Sequence, residues 1–367
     1  MYRSAPGPLH PIITQQAELA SLAGRLARAP AFGLDTEFLR ERTYRAELCL
    51  LQIADTQGAV CVDPLALADL APLAPVLAAG PQKVMHASRQ DLEVLLPVAG
   101  AVRPLFDTQI AAALIGLPAQ IGYGELVRRL LGHELDKAHT RTDWSRRPLS
   151  PEQVSYALDD VRFLLPLKDT LCTELERLGR RAWLEEELAR LTEPDGSGAD
   201  PEQAWTRIKG LKGLDPHRTR LARALGAWRE RRAIERNRPR GWILEDGLLR
   251  DIVIRAPRTA AELAAIPDLP PGVLKHCGEE LLAAIRSAEL PRELPPINTR
   301  VAPDPAASTL FKKLAAVHRA VAAELALSPE VLATRRDLEQ LAEGARDVPA
   351  LRGWRRAVIG ERLLAAL

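Results

Sequence analysis

Hydrophobic positions in the first half of the chain fall into short runs separated by polar or turn residues. Ala31–Phe38, Leu48–Ala54 and Ala59–Val62 are brief, nearly continuous apolar stretches and read as strands, and Lys83–His86 is a fourth. Leu65–Ala79 is helical in composition, but Pro72 and Pro75 should interrupt it. Arg89–Pro97 opens a helix, and Phe106–Leu117 reads as another with Asp107 as its N-cap. Ser150-Pro-Glu-Gln153 supplies an N-cap, a proline at the first helical position and a glutamine to close a capping box. Neighbouring strand runs with short connections suggest antiparallel pairs, and the later strand–helix alternation suggests parallel ones. An α/β unit with a mixed sheet flanked by helices is therefore expected.

The pattern changes after Thr192–Pro201 (TEPDGSGADP), which has a linker's composition. From there on it is helical. Leu221, Leu225 and Trp228 share one face, Thr259-x-x-Glu262 is a capping box, and Pro271–Ser287 is a further helix. Pro291–Pro305 reads as a second linker. The last segment carries Leu310, Leu314, Val317 and Val321 on one stripe, with Ser308 as expected N-cap and a new start at Ser328-Pro329. LARALGAWRERRAIERNRPRGWILED and LFKKLAAVHRAVAAELALSPEVLATRRD align in their apolar positions but not in their charges, as two diverged copies of one helical module would. These shifts predict three domains: residues 1–192, 202–290 and 304–367.

Composition adds charge asymmetry to this outline. The net charge is +2, but residues 1–200 hold 21 Lys+Arg against 27 Asp+Glu, and the remainder holds 29 against 21. An acidic part that binds metal and a basic part that binds a polyanion would have this distribution, as would ordinary solvated surface. The four cysteines have no metal-ligand spacing. No run of about 18 apolar residues and no apolar leader are present, so a cytoplasmic chain is expected.

The candidate chemistry lies in dispersed carboxylates. Asp35 and Glu37 alternate along one strand and project to one face, with Thr36 pointing away. Burying both unpaired would cost several kcal/mol, so they meet water or cations. Asp91 stands near the start of a helix, where dipole complementarity alone could account for it. Tyr156 and Asp160 are one helical turn apart, yet Asp159 is also close to the tyrosine, and spacing does not choose between the aspartates. Gathered together, such acids form an oxygen-ligand cage for Mg²⁺ or Mn²⁺, and a pair of these ions is a device for cutting phosphodiesters. A tyrosine hydroxyl, with an ordinary pKa of about 10, is suited to orienting a water rather than deprotonating it.

DTEF at Asp35–Phe38, HASRQD at His86–Asp91 and Y-x3-D at Tyr156–Asp160 together resemble the motifs of the DEDD exonuclease superfamily, tyrosine subclass, and more narrowly the ribonuclease D family. ERNRPRGWILED at Glu235–Asp246 resembles an HRDC domain, and the final segment resembles a second, divergent one. The resemblance covers nearly the whole chain. It implies a ribonuclease H-like fold followed by two HRDC-like helical domains, and a 3′→5′ exoribonuclease that trims stable RNA precursors such as tRNA. It implies Asp35, Glu37, Asp91 and Asp160 as ligands of two divalent ions, Mg or Mn, and Tyr156 as the residue positioning the attacking water. Arg229, Arg232, Arg236 and Arg240 are the expected phosphate contacts, since arginines neutralise backbone charge. A monomer is expected. A DNA 3′→5′ exonuclease and a non-catalytic nucleic-acid scaffold are the competing readings.

Overall fold

The computed structural model describes residues 12–135, 142–193, 200–211, 213–289 and 305–367; most of both expected linkers lies outside them. The chain divides into two compact units, one of Met1–Leu39, Leu48–Glu193 and Pro303–Leu367, the other of Arg40–Glu47 and Pro194–Ala302.

The first unit is built on strands β1 (Ile12–Ile13), β2 (Ala31–Leu39), β3 (Glu47–Asp55), β4 (Gly58–Val62), β5 (Gln82–Met85) and β6 (Leu105–Asp107), ordered β1-β4-β3-β2-β5-β6. β3 and β4 are antiparallel, Leu51 opposite Val62 and Asp55 opposite Gly58. β1–β4, β2–β5 and β5–β6 are parallel, so the sheet is mixed as the pattern predicts. The sequence reading missed β1 and β6, which are too short to show a period of two. β6 takes the first residues of the expected Phe106–Leu117 helix. Asp107 still caps the shortened helix behind it, its carboxylate accepting from the Gln109 and Ile110 amides.

Among the described residues this stretch has eight α-helices: α1 (Gln16–Leu26), α2 (Ala74–Ala78), α3 (Arg89–Ala99), α4 (Thr108–Leu114), α5 (Tyr123–Leu131), α6 (Pro151–Arg162), α7 (Leu164–Arg177) and α8 (Arg181–Thr192). Pro72 and Pro75 confine the Leu65–Ala79 run to a 3₁₀ turn and short α2, as expected. On one face of the sheet Phe32 and Leu34 pack with Leu19, Leu22 and Leu26 of α1 and Leu95 of α3. On the other, Val84 and Phe106 pack with α4, α5 and α7, and α6 seats Val154, Ala157 and Leu158 against Cys49 and Cys61.

The second unit is helical: a 3₁₀ turn at Pro201–Arg207, then α9 (Pro216–Arg236), α10 (Arg240–Ile243), α11 (Asp246–Arg255), α12 (Ala260–Ala264) and α13 (Pro271–Glu289). Asp215 caps α9 by accepting from the Arg218 amide at 2.9 Å. The stripe Leu221, Leu225 and Trp228 is buried with Leu249, Ile252, Leu263, Leu281 and Ile285. The expected capping box at Thr259 forms by half. Thr259 accepts from the Glu262 amide, but Glu262 reaches the Arg258 amide instead of that of Thr259. Tyr44 joins this unit through Glu230, its hydroxyl donating to the carboxylate at 2.5 Å, with the Arg240 guanidinium 4.8 Å above its ring.

The first unit is completed by the end of the chain. α14 (Pro305–Glu324), α15 (Pro329–Leu332), α16 (Arg335–Ala342) and the helical turns from Pro349 onward bury Leu314, Val321, Leu338 and Ile359 in the cluster that holds α4, α5 and α7. α14 starts at Pro305, so Ser308 lies inside the helix and is not the cap expected of it. Glu187 of α8 ties this segment down. It accepts from Trp354 Nε1 at 2.9 Å and pairs with Arg355, while Trp354 stacks on Trp183 with ring centroids 4.4 Å apart.

Candidate active site

Gly33, Asp35 and Glu37 alternate along β2 and share a face. Gly33 lets helix approach that face: a Cβ there would lie 3.0 Å from the Val161 carbonyl oxygen and 3.2 Å from the Leu164 side chain. The end of α6 and the start of α7 thus come down on the carboxylate-bearing face of the strand. The capping box at Ser150 forms in full and sets where α6 begins. Tyr156 and Asp160 follow from it by helical spacing.

Electrostatics shows which acids are gathered. Asp35 is pushed well above the usual carboxylate range, first by desolvation and then by the charges of Asp91, Asp160 and Glu37. Glu37 rises to about 8, through desolvation and then Asp160 and Asp91. Asp160 rises to about 7 and Asp91 to about 6, desolvation again leading. The Tyr156 hydroxyl is held above its ordinary value by desolvation and by Asp160, Glu37 and Asp35. Five residues from three distant segments therefore share one charge environment. Asp159 pairs with Arg162, and it is Asp160 that acts on Glu37 and Tyr156.

Thr36 lies on the other face of β2 as expected, but it has a role there. It is buried, and its hydroxyl donates to Asp91 Oδ1 on the first turn of α3. Only the contact of α3 with β2 could reveal this, because the two residues are 55 positions apart. Asp107 stays a structural cap, accepting also from the Ser88 amide and hydroxyl at 2.8 Å each, which pins the chain just before α3. His86 is likewise structural, bonded to Thr108 Oγ1 at 2.9 Å and the Ile121 carbonyl at 3.0 Å.

Two aromatic residues frame the site. Trp144 is buried and stacks on Tyr156, ring centroids 6.3 Å apart. Tyr123 donates to the Asp159 carbonyl and accepts from the Phe163 amide, fixing the α6–α7 junction. Sequence reasoning missed Tyr123, since nothing in its spacing links it to α6. Arg147 is committed within the fold. It is bound to Asp63 at 2.5 and 2.8 Å and to the Cys49 carbonyl at 2.7 Å.

Among the described residues no three His, Cys, Asp or Glu side chains form a group that would hold a metal ion as they stand. The donor chemistry nonetheless fits a hard divalent cation. All four carboxylates are raised, Asp35 and Glu37 in part by the charges of Asp91 and Asp160, and the causes of those shifts include no cationic side chain. Mg²⁺ keeps several waters and takes substrate phosphate oxygens, so one or two protein carboxylates per ion suffice.

Three of the four arginines expected to contact phosphate are paired with acids within the helical unit. Arg229 is 4% exposed and donates to the Leu244 carbonyl and to Asp246, so it works inside the helical unit. Arg232 is paired with Glu280 at 3.2 Å and Arg240 with Glu230 at 2.5 Å. Of the four expected contacts, Arg236 is the one that is exposed and has no carboxylate partner among the described residues.

A 3′-5′ exonuclease family model matches residues 11–176, and an HRDC domain model matches residues 218–285. The ribonuclease D of Nitrobacter hamburgensis is 42% identical over 361 residues, spanning 96% of this chain and 94% of that protein. The ribonuclease D of Zymomonas mobilis is 41% identical over 370 residues, spanning 98% and 94%. This chain belongs to the ribonuclease D family. The crystal structure of Escherichia coli RNase D, an exoribonuclease involved in structured RNA processing, matches with a TM-score of 0.88 and 32% identity over 98% of this chain and 99% of that one. The catalytic core of RRP6 from Trypanosoma brucei matches with a TM-score of 0.60 and 25% identity over 76% and 79%. The mixed-sheet exonuclease domain and the helical HRDC region are therefore those of a ribonuclease D, a 3′→5′ exoribonuclease whose fold implies dependence on divalent metal. No helix among the described residues is long and apolar enough to cross a membrane.

Proposed function

We propose that Asp35, Glu37, Asp91 and Asp160 hold two divalent ions, Mg²⁺ or Mn²⁺, and that the chain removes 5′-mononucleotides from the 3′ ends of stable RNA precursors such as tRNA. The observation that carries this reading is the elevation of the Asp35 and Glu37 pKa values by desolvation and by the charges of Asp91 and Asp160. An uncompensated acid cluster is costly to keep unless cations complete it. Bound ions would supply an activated water and stabilise the leaving 3′ oxygen. The protein's part is positioning. Tyr156 keeps its proton, because its hydroxyl is held above its ordinary value, so it can donate a hydrogen bond and orient a water. Its ring is braced by Trp144, and Asp91 is oriented by Thr36.

The test is digestion of a 3′-labelled RNA with and without Mg²⁺, beside a 3′-blocked control. Asp35→Ala and Asp160→Asn should abolish digestion, and activity near wild type in either would overturn the assignment. Tyr156→Phe should slow turnover far more than it weakens RNA binding, and equal losses would reduce the tyrosine to packing. A monomer in a reducing, cytoplasmic setting is the state proposed, and the four unpaired thiols fit that setting. Matched DNA and RNA oligonucleotides decide the sugar preference.

A further inference from the structure

The helical unit carries a surface that the arginines first expected to bind nucleic acid do not explain. Trp242 is 59% exposed, the most exposed of the large aromatic residues among those described. It stands on α10, and the Arg238 guanidinium lies 5.6 Å from its ring centroid. Arg236 and Arg238 flank Asn237, which ends α9 in a left-handed conformation. The Asn237 side chain in turn accepts from the backbone amide of Arg45 at 3.0 Å. That bond brings a residue from 192 positions away to the same spot. Arg45, Arg236 and Arg238 are all exposed, and none has a carboxylate partner among the described residues. Most other arginines nearby are committed: Arg229, Arg231, Arg232 and Arg240 each hold an acid.

The contrast between the two sets of arginines sets the direction of the inference. The paired arginines have the neutralisation they need within the fold. Of the remaining three, Arg238 lies against an exposed indole, Arg236 is two residues before it at the end of α9, and Arg45 is tied by its backbone amide to Asn237 between them; no described acid quenches them. A large exposed aromatic face beside uncommitted cations matches single-stranded nucleic acid, in which unstacked bases offer π-faces and phosphates follow at short intervals. It does not match a regular duplex, whose bases are already stacked on one another. From this juxtaposition we propose that Trp242 is a stacking platform for a base of a single-stranded RNA segment, with Arg45, Arg236 and Arg238 taking the adjoining phosphates. Arg238 has a second part, since its planar cation lies over the indole ring and supports it there. The proposal deepens the reading of RNA as the substrate and rests on it.

The experiment uses the full chain in EDTA, so that cleavage does not enter. Binding is followed by fluorescence anisotropy with a labelled hairpin RNA carrying a single-stranded 3′ extension, and with the same hairpin made blunt. Trp242→Ala should weaken binding to the extended RNA about 5- to 150-fold, the equivalent of ~1–3 kcal/mol for one stacked base. The blunt hairpin should lose less than about twofold, and Trp242→Phe should restore most of the loss. The salt slope should stay as it is in Trp242→Ala, because stacking releases no counterions. Arg45→Ala with Arg236→Ala should instead lower the slope by about 1.4, at ~0.7 per phosphate contact on a single strand. An effect of Trp242→Ala below about twofold on the extended RNA would overturn the proposal, as would equal losses on the two RNAs. Trp242 is exposed enough for its truncation to leave the melting temperature unchanged, and a thermal melt checks that the variant is folded. Failure of the underlying exonuclease reading has a different signature: RNA left undigested by the parent chain in Mg²⁺.

Discussion

Glu37→Gln should stabilise the metal-free protein, and by an amount that grows with pH. The Glu37 carboxyl is raised from 4.5 to about 8, by desolvation first and by Asp160 and Asp91 next. Between those values the folded state holds a proton that the unfolded chain has released. Stability from this group is therefore complete below about pH 4.5, falls as pH rises, and levels off above about 8. At ~1.4 kcal/mol per unit the whole displacement is on the order of 5 kcal/mol. Asp160 and Asp91 supply part of it and titrate in the same range, so about 2–3 kcal/mol is the share expected for Glu37→Gln at pH 8. The unit containing β2 has about 250 residues, for which 1 kcal/mol shifts the melting temperature by ~2–4 °C. Glu37→Gln should thus melt roughly 4–12 °C above the wild type at pH 8 in EDTA, and within about 2 °C of it at pH 5. Mg²⁺ should reverse the order at pH 8, because it stabilises the wild type and has lost a ligand in the variant. Scanning calorimetry across this pH range, with EDTA and with Mg²⁺, makes the comparison. An equal offset at pH 5 and pH 8, or a variant less stable than wild type in EDTA at pH 8, would refute the view that these carboxylates repel one another in the fold.

Other consequences concern the supports around the site and the packing of each unit. Thr36→Val removes the hydroxyl that bonds Asp91. It should raise the Mg²⁺ needed for half-maximal digestion by roughly tenfold or more, while Thr36→Ser stays near wild type; a magnesium titration that does not distinguish them removes Thr36 from this role. Glu187→Ala leaves Trp354 Nε1 and the Arg355 guanidinium without their acceptor, and should cost about 3–5 kcal/mol in urea denaturation. A loss under about 1 kcal/mol would mean that Glu187 contributes little to holding the C-terminal segment. Gly226→Ala would put a Cβ 2.8 Å from Trp205 Cβ and 2.9 Å from the Trp205 amide nitrogen. It should destabilise the helical unit by about 1–3 kcal/mol, and an unchanged melt would show that the 3₁₀ turn at Pro201–Arg207 gives way.

What the sequence determined by itself is local or combinatorial. The Ser150 capping box, the placement of Asp35 and Glu37 on one face of a strand, and the buried stripe on α9 each follow from spacing within one element. The three acidic motifs name the family because they occur together. Tertiary structure decided what depends on distance between elements. Asp160 rather than Asp159 faces Glu37 because Gly33 lets α6 and α7 settle on that side of β2. Thr36 serves Asp91 because α3 packs on the opposite side. The arginines show the same division: their crowding on α9 is plain in the chain. Whether each one meets an acid or water is set by other elements, Asp246 for Arg229, Glu202 for Arg231 and Glu280 for Arg232, since a charge is neutralised by what lies near it in space, whatever its place in the sequence.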